Sequence, residues 1–214
     1  MKNEDLNAKQ QSIVAIAAFT AKGNMKKLKR ALNEGLDAGL TVNEIKEILV
    51  QLYAYTGFPR SLNGINTFMG VMEERGKKGI KDKMGREASP LPTNKSSIEL
   101  GTEIQTRLAG MPVTGAIYTF TPAIDQFLKG HLFGDIFGRD NLDFQSREIA
   151  TISALSAMEG VNSQLQAHFN IGLNTGLTEA QMKILISVLK AKVSKKEADN
   201  AREILHKVLN SPAN

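Results

Sequence analysis

Residues 35–41 read Gly-Leu-Asp-Ala-Gly-Leu-Thr, and residues 172–178 read Gly-Leu-Asn-Thr-Gly-Leu-Thr. The likeness continues towards the N-terminus, where Leu28 of the first region corresponds to Leu165 of the second. Similarity that recurs along a chain indicates a duplicated structural unit. The sequence is therefore predicted to contain two copies of one unit in tandem.

The two units are assigned to residues 1–76 and 115–214, with residues 77–114 between them. The stretch before Ser97 carries Gly, Lys, Ser and Pro residues, several of which break helices, so we expect an exposed linker there. A short helix is predicted from Ser97 to about Ala109.

Each unit is predicted to be a series of helices. Residues 7–22 and 143–158 are too apolar for surface helices, which predicts two buried helices. Further helices are predicted at about 25–37 and 162–174. No segment shows sustained alternation with a period of two, so no sheet is assigned. The predicted fold class is all-α, with two tandem helical-bundle repeats.

The helix boundaries follow from local chemistry. A Gly after the second helix of each unit can take the left-handed conformation that ends a helix. A Thr two residues later, followed by Glu or Gln three residues on, forms a capping box that starts the next helix. These residues are Gly39, Thr41 and Glu44 in the first unit and Gly176, Thr178 and Gln181 in the second.

Three more helices complete the prediction. One follows Pro59 and runs to about Glu74, and another opens with the pair Ser194 and Glu197. A third begins at Pro122, where the missing N–H of proline costs little, and continues to about residue 138.

The net charge of +5 raises the question of nucleic acid binding. Lys and Arg are spread along the chain, and the densest stretch, residues 77–86, has no interleaved aromatic residues and no known binding motif. We interpret that stretch as a solvated basic linker and expect no nucleic-acid partner.

Cysteine is absent from the chain. This excludes disulfides, cysteine-bound metals and thiol catalysis. The three histidines, His131, His168 and His206, do not have the spacing of a metal site, so no metal is expected. The longest apolar run, residues 13–20, is too short for a bilayer, and residues 1–5 lack a signal pattern. We therefore expect no membrane association and a cytoplasmic location.

Residues 133–143 read Phe-Gly-Asp-Ile-Phe-Gly-Arg-Asp-Asn-Leu-Asp, and Arg147 and Glu148 follow at the start of the apolar helix. His168 lies about one helix further on, before Gly172. In this order, these elements resemble the signature of the carboxymuconolactone decarboxylase family. The end of the third helix of the first unit, with Gln51, Tyr55, Gly57 and Pro59, is similar to the same family.

The resemblance covers nearly the whole chain as two family domains in tandem. It implies an alkylhydroperoxidase D-like helical fold. The alkylhydroperoxidase branch uses a Cys-x-x-Cys pair shortly before the histidine, and the corresponding positions here are Val161 and Gln164. Without a thiolate, thiol peroxidase activity is rejected.

Each unit departs from the family pattern in a different place. The first unit has Ala31 at the position of His168, and the second has Lys192 at the position of Tyr55. Two interpretations remain open. Either both sites have decayed, or one composite site takes His168 from the second unit and Gln51 and Tyr55 from the first. We favour the composite site.

The resemblance implies a carboxy-lyase of the 4-carboxymuconolactone decarboxylase type. Such a reaction needs no metal or organic cofactor, because the lactone itself accepts the electrons. His168 would protonate carbon, with Glu148 orienting the imidazole. The substrate-binding candidates, for a carboxylate or an enolate oxygen, are Arg139, Arg147, Gln51 and Tyr55.

Each candidate also has a structural alternative. His168 can be a structural helix residue, Glu148 a favourable acid in a first helical turn, and Arg139 a cation at a helix end. Gln51 and Tyr55 can simply pack between the units. His131 and His206 are predicted to be surface residues.

Partners follow from the same resemblance. The implied substrate class is a small carboxylate. Single-unit family members resemble hexameric rings, so a chain with two units is expected to form a homotrimer of pseudo-hexameric shape. The alternative function is a non-catalytic member that binds a ligand or serves as a scaffold, favoured by the divided pattern.

Overall fold

All regular structure described in residues 5–210 of the computed structural model is helical, which confirms the predicted fold class. Residues 1–4, on which part of the signal-peptide expectation depends, lie outside the described residues. The first series is α1 Ala8–Lys22, α2 Met25–Asp37, α3 Val42–Thr56 and α4 Phe58–Lys77. The middle helices are α5 Ser97–Ala109, α6 Ala116–Phe120 and α7 Pro122–Gln126, followed by a π-helix, Phe127–Ile136. The second series is α8 Phe144–Ser156, α9 Asn162–Asn174, α10 Glu179–Val188, which continues as a π-helix Leu189–Val193, and α11 Lys195–Asn210.

The two series have the same order, and their local signals are those that the sequence predicted. The capping boxes predicted at Thr41 and at Thr178 form. After α2 and α9, a Gly has φ of 94° and 95°, respectively. The residue after each Gly donates a backbone hydrogen bond to the last turn of the helix. The Leu40 N–H donates to the Gly35 carbonyl at 2.9 Å, and the Leu177 N–H donates to the Gly172 carbonyl at 3.0 Å. This closure turns the chain sharply into the following helix.

The apolar helices α1 and α8 are buried over most of their length, as predicted. In α1 every residue from Ser12 to Ala21 is buried, and in α8 every residue from Ser146 to Ser156 is buried. Core residues of both series belong to one hydrophobic cluster. The two units therefore share one core, and the apolar surface buried in it stabilises them together.

The middle segment departs from the prediction of one α-helix from Pro122 to about residue 138. Two short helices, α6 and α7, lead into the π-helix Phe127–Ile136. A π-helix bonds residue i to residue i+5, whereas the prediction assumed a regular α-helix after Pro122. The backbone of this π-helix lies against α5, where Gly134 meets the Ser97 carbonyl.

The linker has no regular structure from residue 80 to residue 92 and is mostly exposed, as predicted. It is nevertheless fixed to the helices. Arg75 pairs with Asp82 at 2.8 Å, and the Val42 N–H donates to the Lys83 carbonyl at 3.0 Å. The assignment of the two units to residues 1–76 and 115–214 stays a prediction. Within residues 5–210, none of the helices has the length and apolar character needed to traverse a bilayer.

We expect Gly101→Ala to destabilise the protein by about 1–3 kcal/mol, because it overpacks the contact between α5 and the π-helix. An added Cβ would lie 1.6 Å from the Lys129 carbonyl oxygen, so the backbone would have to move. Gly70→Ala in α4 is the matched control, since nothing lies within 4 Å of its Cβ position and alanine favours a helix. Urea unfolding of both variants checks this, and equal stabilities would contradict it.

Candidate functional site

One face of α3 points towards the second unit. Glu47, Gln51 and Tyr55 lie four residues apart, and this spacing places them along one side of a helix. The side chains of Glu47 and Gln51 are buried, and α3 packs against α8. The face therefore meets the beginning of α8, where Arg147 and Glu148 lie.

Arg147 is the centre of a buried polar network. Its Nη1 donates to Gln51 Oε1 at 2.9 Å, and its Nη2 donates to Glu47 Oε1 at 2.9 Å and to the Arg139 carbonyl at 2.7 Å. The side chains of Arg147 and Glu47 are 0% and 2% exposed. Burial lowers the pKa of Arg147, and the hydrogen bond that Arg147 donates to Glu47 opposes that shift. The stability of a buried positive charge of this kind depends on the negative charge of its counter-ion, here Glu47.

Gln51 links the network to the backbone of α8. Its Nε2 donates to the Arg147 carbonyl at 3.0 Å and to Thr151 Oγ1 at 2.9 Å, while its Oε1 accepts from Arg147. Both the nitrogen and the oxygen of the Gln51 amide are thus hydrogen-bonded to the second unit. This bonding fixes the position of α3 relative to α8.

Arg139 is the more accessible of the two predicted arginines. Its Nε donates to Glu47 Oε2 at 2.9 Å, and its side chain is 39% exposed. Glu47 therefore holds both Arg139 and Arg147. Tyr55 lies eight residues beyond Glu47, which corresponds to about 12 Å along the helix axis. Arg139 accordingly contacts one end of the α3 face, and Tyr55 occupies the other.

Glu148 and His168 form a buried pair between α8 and α9. Glu148 Oε2 lies 2.7 Å from His168 Nδ1, and their side chains are 0% and 10% exposed. A carboxylate beside Nδ1 accepts a hydrogen bond from the N–H of that nitrogen, so Nε2 is left free to gain or lose a proton. The pair therefore has the arrangement of an oriented acid–base histidine.

Tyr55 of the first unit packs edge-on against His168, with 5.4 Å between ring centroids and 78° between ring planes. Its hydroxyl is buried, and no described residue gives it a well-formed hydrogen bond; the same holds for Glu148 Oε1. Burial, followed by the negative charge of Glu148, raises the pKa of Tyr55 well above its ordinary value. The hydroxyl consequently stays protonated at neutral pH and can act only as a neutral donor or acceptor.

The structure thus places five predicted site residues at one junction of the two units, and ties the sixth, Arg139, to it through Glu47. The five are Gln51, Tyr55, Arg147, Glu148 and His168. Their roles stay predictions. Within residues 5–210, no group of three or more His, Cys, Asp or Glu side chains could hold a metal ion.

Sequence reasoning missed Glu47 and Thr151. Glu47 precedes Gln51 by four residues, and this spacing was the signal that could have revealed it. A glutamate inside a helix is usually solvated, and only its buried partner, Arg147, in the other unit shows otherwise.

The carboxymuconolactone decarboxylase family model matches residues 1–67. Over these residues, which lie in the first unit, the chain is similar to this family. The helical arrangement of residues 5–210 agrees with the alkylhydroperoxidase D-like fold that the resemblance implied. The matched span contains Glu47, Gln51 and Tyr55 but ends before His168. Among curated proteins, no match to the chain is found.

Proposed function

We propose that the protein is a cofactor-free carboxy-lyase that acts on a small carboxylated lactone or a related acid, at one composite site. The observation that carries this proposal is the buried pair of Glu148 and His168, with Tyr55 of the other unit packed against the imidazole. A histidine oriented by a carboxylate is suited to proton transfer near neutral pH. The site needs a tyrosine from one unit and a histidine from the other.

In this mechanism, cleavage of the bond to the substrate carboxylate releases carbon dioxide and leaves its electron pair in an enolate. The neutral Tyr55 hydroxyl donates a hydrogen bond to the enolate oxygen. Protonated His168 then delivers a proton from Nε2 to carbon, and Glu148 stabilises the imidazolium before that transfer. Solvent returns the proton to His168 and completes the cycle.

The two arginines have different roles in this proposal. Both terminal nitrogens of Arg147 already donate to protein groups, so Arg147 holds Glu47 and Gln51 in place. Arg139 has exposed surface and a single carboxylate partner in Glu47. Arg139 is therefore the better candidate for a substrate carboxylate that reaches towards the Glu47 end of α3.

The direct test is turnover of γ-carboxymuconolactone by the purified protein, followed by ultraviolet absorbance. Loss of the substrate absorbance supports the carboxy-lyase proposal. No turnover, at enzyme concentrations where the uncatalysed rate is easily exceeded, would reject this substrate and leave the fold unaffected.

Tyr55→Phe tests whether the site is composite. We expect a loss of turnover on the order of 10²-fold, because the phenol is the donor to the enolate oxygen. Tyr118→Phe is the matched control, since Tyr118 lies on α6 and makes no hydrogen bond through its side chain among the described residues. Full activity in Tyr55→Phe would reject the composite site.

A second candidate function is ligand binding without catalysis. The divided family pattern, with Ala31 and Lys192 at the missing positions, favours it. Stabilisation by small carboxylates in thermal-shift measurements, with no turnover of any of them, would support this alternative.

We also propose that the chain assembles as a homotrimer, with a cytoplasmic location and no nucleic-acid partner. Several large apolar side chains are exposed, and contiguous apolar surface favours association. On α4 they are Phe58, Leu62 and Met69, and in the middle segment they are Ile117, Phe120 and Phe127. Light scattering should give about three times the chain mass, and a monomer would contradict the assembly.

A further inference from the structure

A second set of side chains is hydrogen-bonded separately from the pair of Glu148 and His168. His131 Nδ1 is 2.9 Å from Asp135 Oδ2, and Ser97 Oγ donates to Asp135 Oδ1 at 2.7 Å. His131 Nε2 hydrogen-bonds the hydroxyl of Tyr53. The residues of the set come from three helices, since Ser97 lies in α5, His131 and Asp135 lie in the π-helix, and Tyr53 lies in α3.

The order of groups is carboxylate, imidazole, hydroxyl. Because Asp135 accepts at Nδ1, Nδ1 carries the proton and Nε2 is left to accept from the Tyr53 phenol. A nucleophile hydrogen-bonded to a base, with the base oriented by a third group, is the general geometry of nucleophilic catalysis. Tyr53 takes the place of the nucleophile in this set.

The set is both held in place and accessible. The Tyr53 ring stacks on Phe58, with 4.3 Å between centroids and 18° between planes, which limits rotation of the phenol. The side chains of His131 and Asp135 are 48% and 42% exposed, so a small molecule can reach them from solvent. Among the described residues, this set shares no hydrogen bond with Glu148 or His168.

We propose that Tyr53, His131 and Asp135 form a second catalytic site, which acts on small activated carboxylic esters. His131 Nε2 removes the phenolic proton while the Tyr53 oxygen forms a bond to the acyl carbon. The bond from that carbon to the leaving oxygen breaks, and the leaving oxygen carries the electron pair and takes the proton from His131. Water then attacks the acyl-tyrosine with His131 as base, releases the carboxylic acid and restores Tyr53.

The test uses p-nitrophenyl acetate and the full-length protein. We expect a burst of p-nitrophenol of about one equivalent per chain, and a covalent acetyl group on Tyr53 after acid quenching and peptide mass mapping. Tyr118 serves as the internal reference for unassisted acylation of a phenol. Labelling of Tyr53 should exceed labelling of Tyr118 on the order of 10²-fold.

Two variants with matched controls locate the chemistry. Tyr53→Phe keeps the stacked ring and should abolish the burst, whereas Tyr118→Phe should not change it. His131→Ala should reduce labelling of Tyr53 to the level of Tyr118, whereas His206→Ala, at another exposed histidine, should leave it unchanged. His131→Asn is used in addition if His131→Ala does not fold.

Equal labelling of Tyr53 and Tyr118 would overturn the proposal. So would a burst that survives in Tyr53→Phe, because the acyl group would then reside elsewhere. If labelling of Tyr53 is unchanged in both His131 variants, the imidazole is not the base, and this result would also overturn the proposal.

Discussion

Glu47→Gln is expected to destabilise the protein by about 3–5 kcal/mol. The substitution leaves the guanidinium of Arg147 fully buried, with only neutral partners. The isosteric amide preserves shape, so lost packing does not account for the effect. The cost comes from a desolvated positive charge whose counter-ion is gone, and Arg139 loses the same carboxylate. Urea unfolding at neutral pH measures the difference in free energy.

A matched control isolates burial as the cause. Glu34→Gln removes a carboxylate that also has two cationic partners, Lys192 and Arg30, but its side chain is 37% exposed. Exposed ion pairs contribute about 0–1 kcal/mol, so this variant should be nearly as stable as the parent. Similar losses for both variants would show that the charge of Arg147 does not depend on Glu47.

A double variant tests the same point from the other side. Glu47→Leu combined with Arg147→Met replaces the buried pair by apolar side chains of similar size. Such replacements are often neutral or stabilising, so the double variant should recover much of the stability that Glu47→Gln loses. Continued instability would indicate that the hydrogen bonds from Arg147 to Gln51 and to the Arg139 carbonyl dominate instead.

The sequence predicted those parts of the molecule that local chemistry determines. The capping boxes at Thr41 and Thr178 and the turns after α2 and α9 depend on residues that lie close together in the sequence. The two apolar helices were recognised as buried because an apolar residue on every side of a helix leaves no face for solvent.

The parts that could not be predicted depend on contacts between distant residues. Glu47 lies 100 positions before Arg147. Its spacing from Gln51 places it on the same face of α3, but that spacing does not show that its carboxylate is the counter-ion of a buried arginine. The π-helix Phe127–Ile136 depends on close packing against α5, and single-helix periodicity does not report such packing. His131 is exposed as predicted, yet its partner Tyr53 comes from the other unit.

His168→Ala is expected to lower turnover of the proposed carboxylated substrate by about 10²–10⁴-fold, because the variant lacks the proposed proton donor to carbon. This variant also leaves Glu148 buried without its only described hydrogen-bond partner, which costs stability by about 1–3 kcal/mol. A loss of activity in His168→Ala alone would therefore mix the loss of an acid with the loss of structure.

His168→Asn separates these effects. The asparagine amide nitrogen takes nearly the position of Nδ1 and can still donate to Glu148, but the side chain has no ionisable group to protonate carbon. We expect its unfolding free energy to stay closer to that of the parent than that of His168→Ala, with turnover as low as in His168→Ala. The single-variant kinetics should show a fall in kcat with little change in KM, since the proton transfer belongs to the transition state. Turnover retained in a folded His168→Asn would mean that the imidazole serves to hold α9 against α8, and the acid would have to be sought in another group at the junction of the two units.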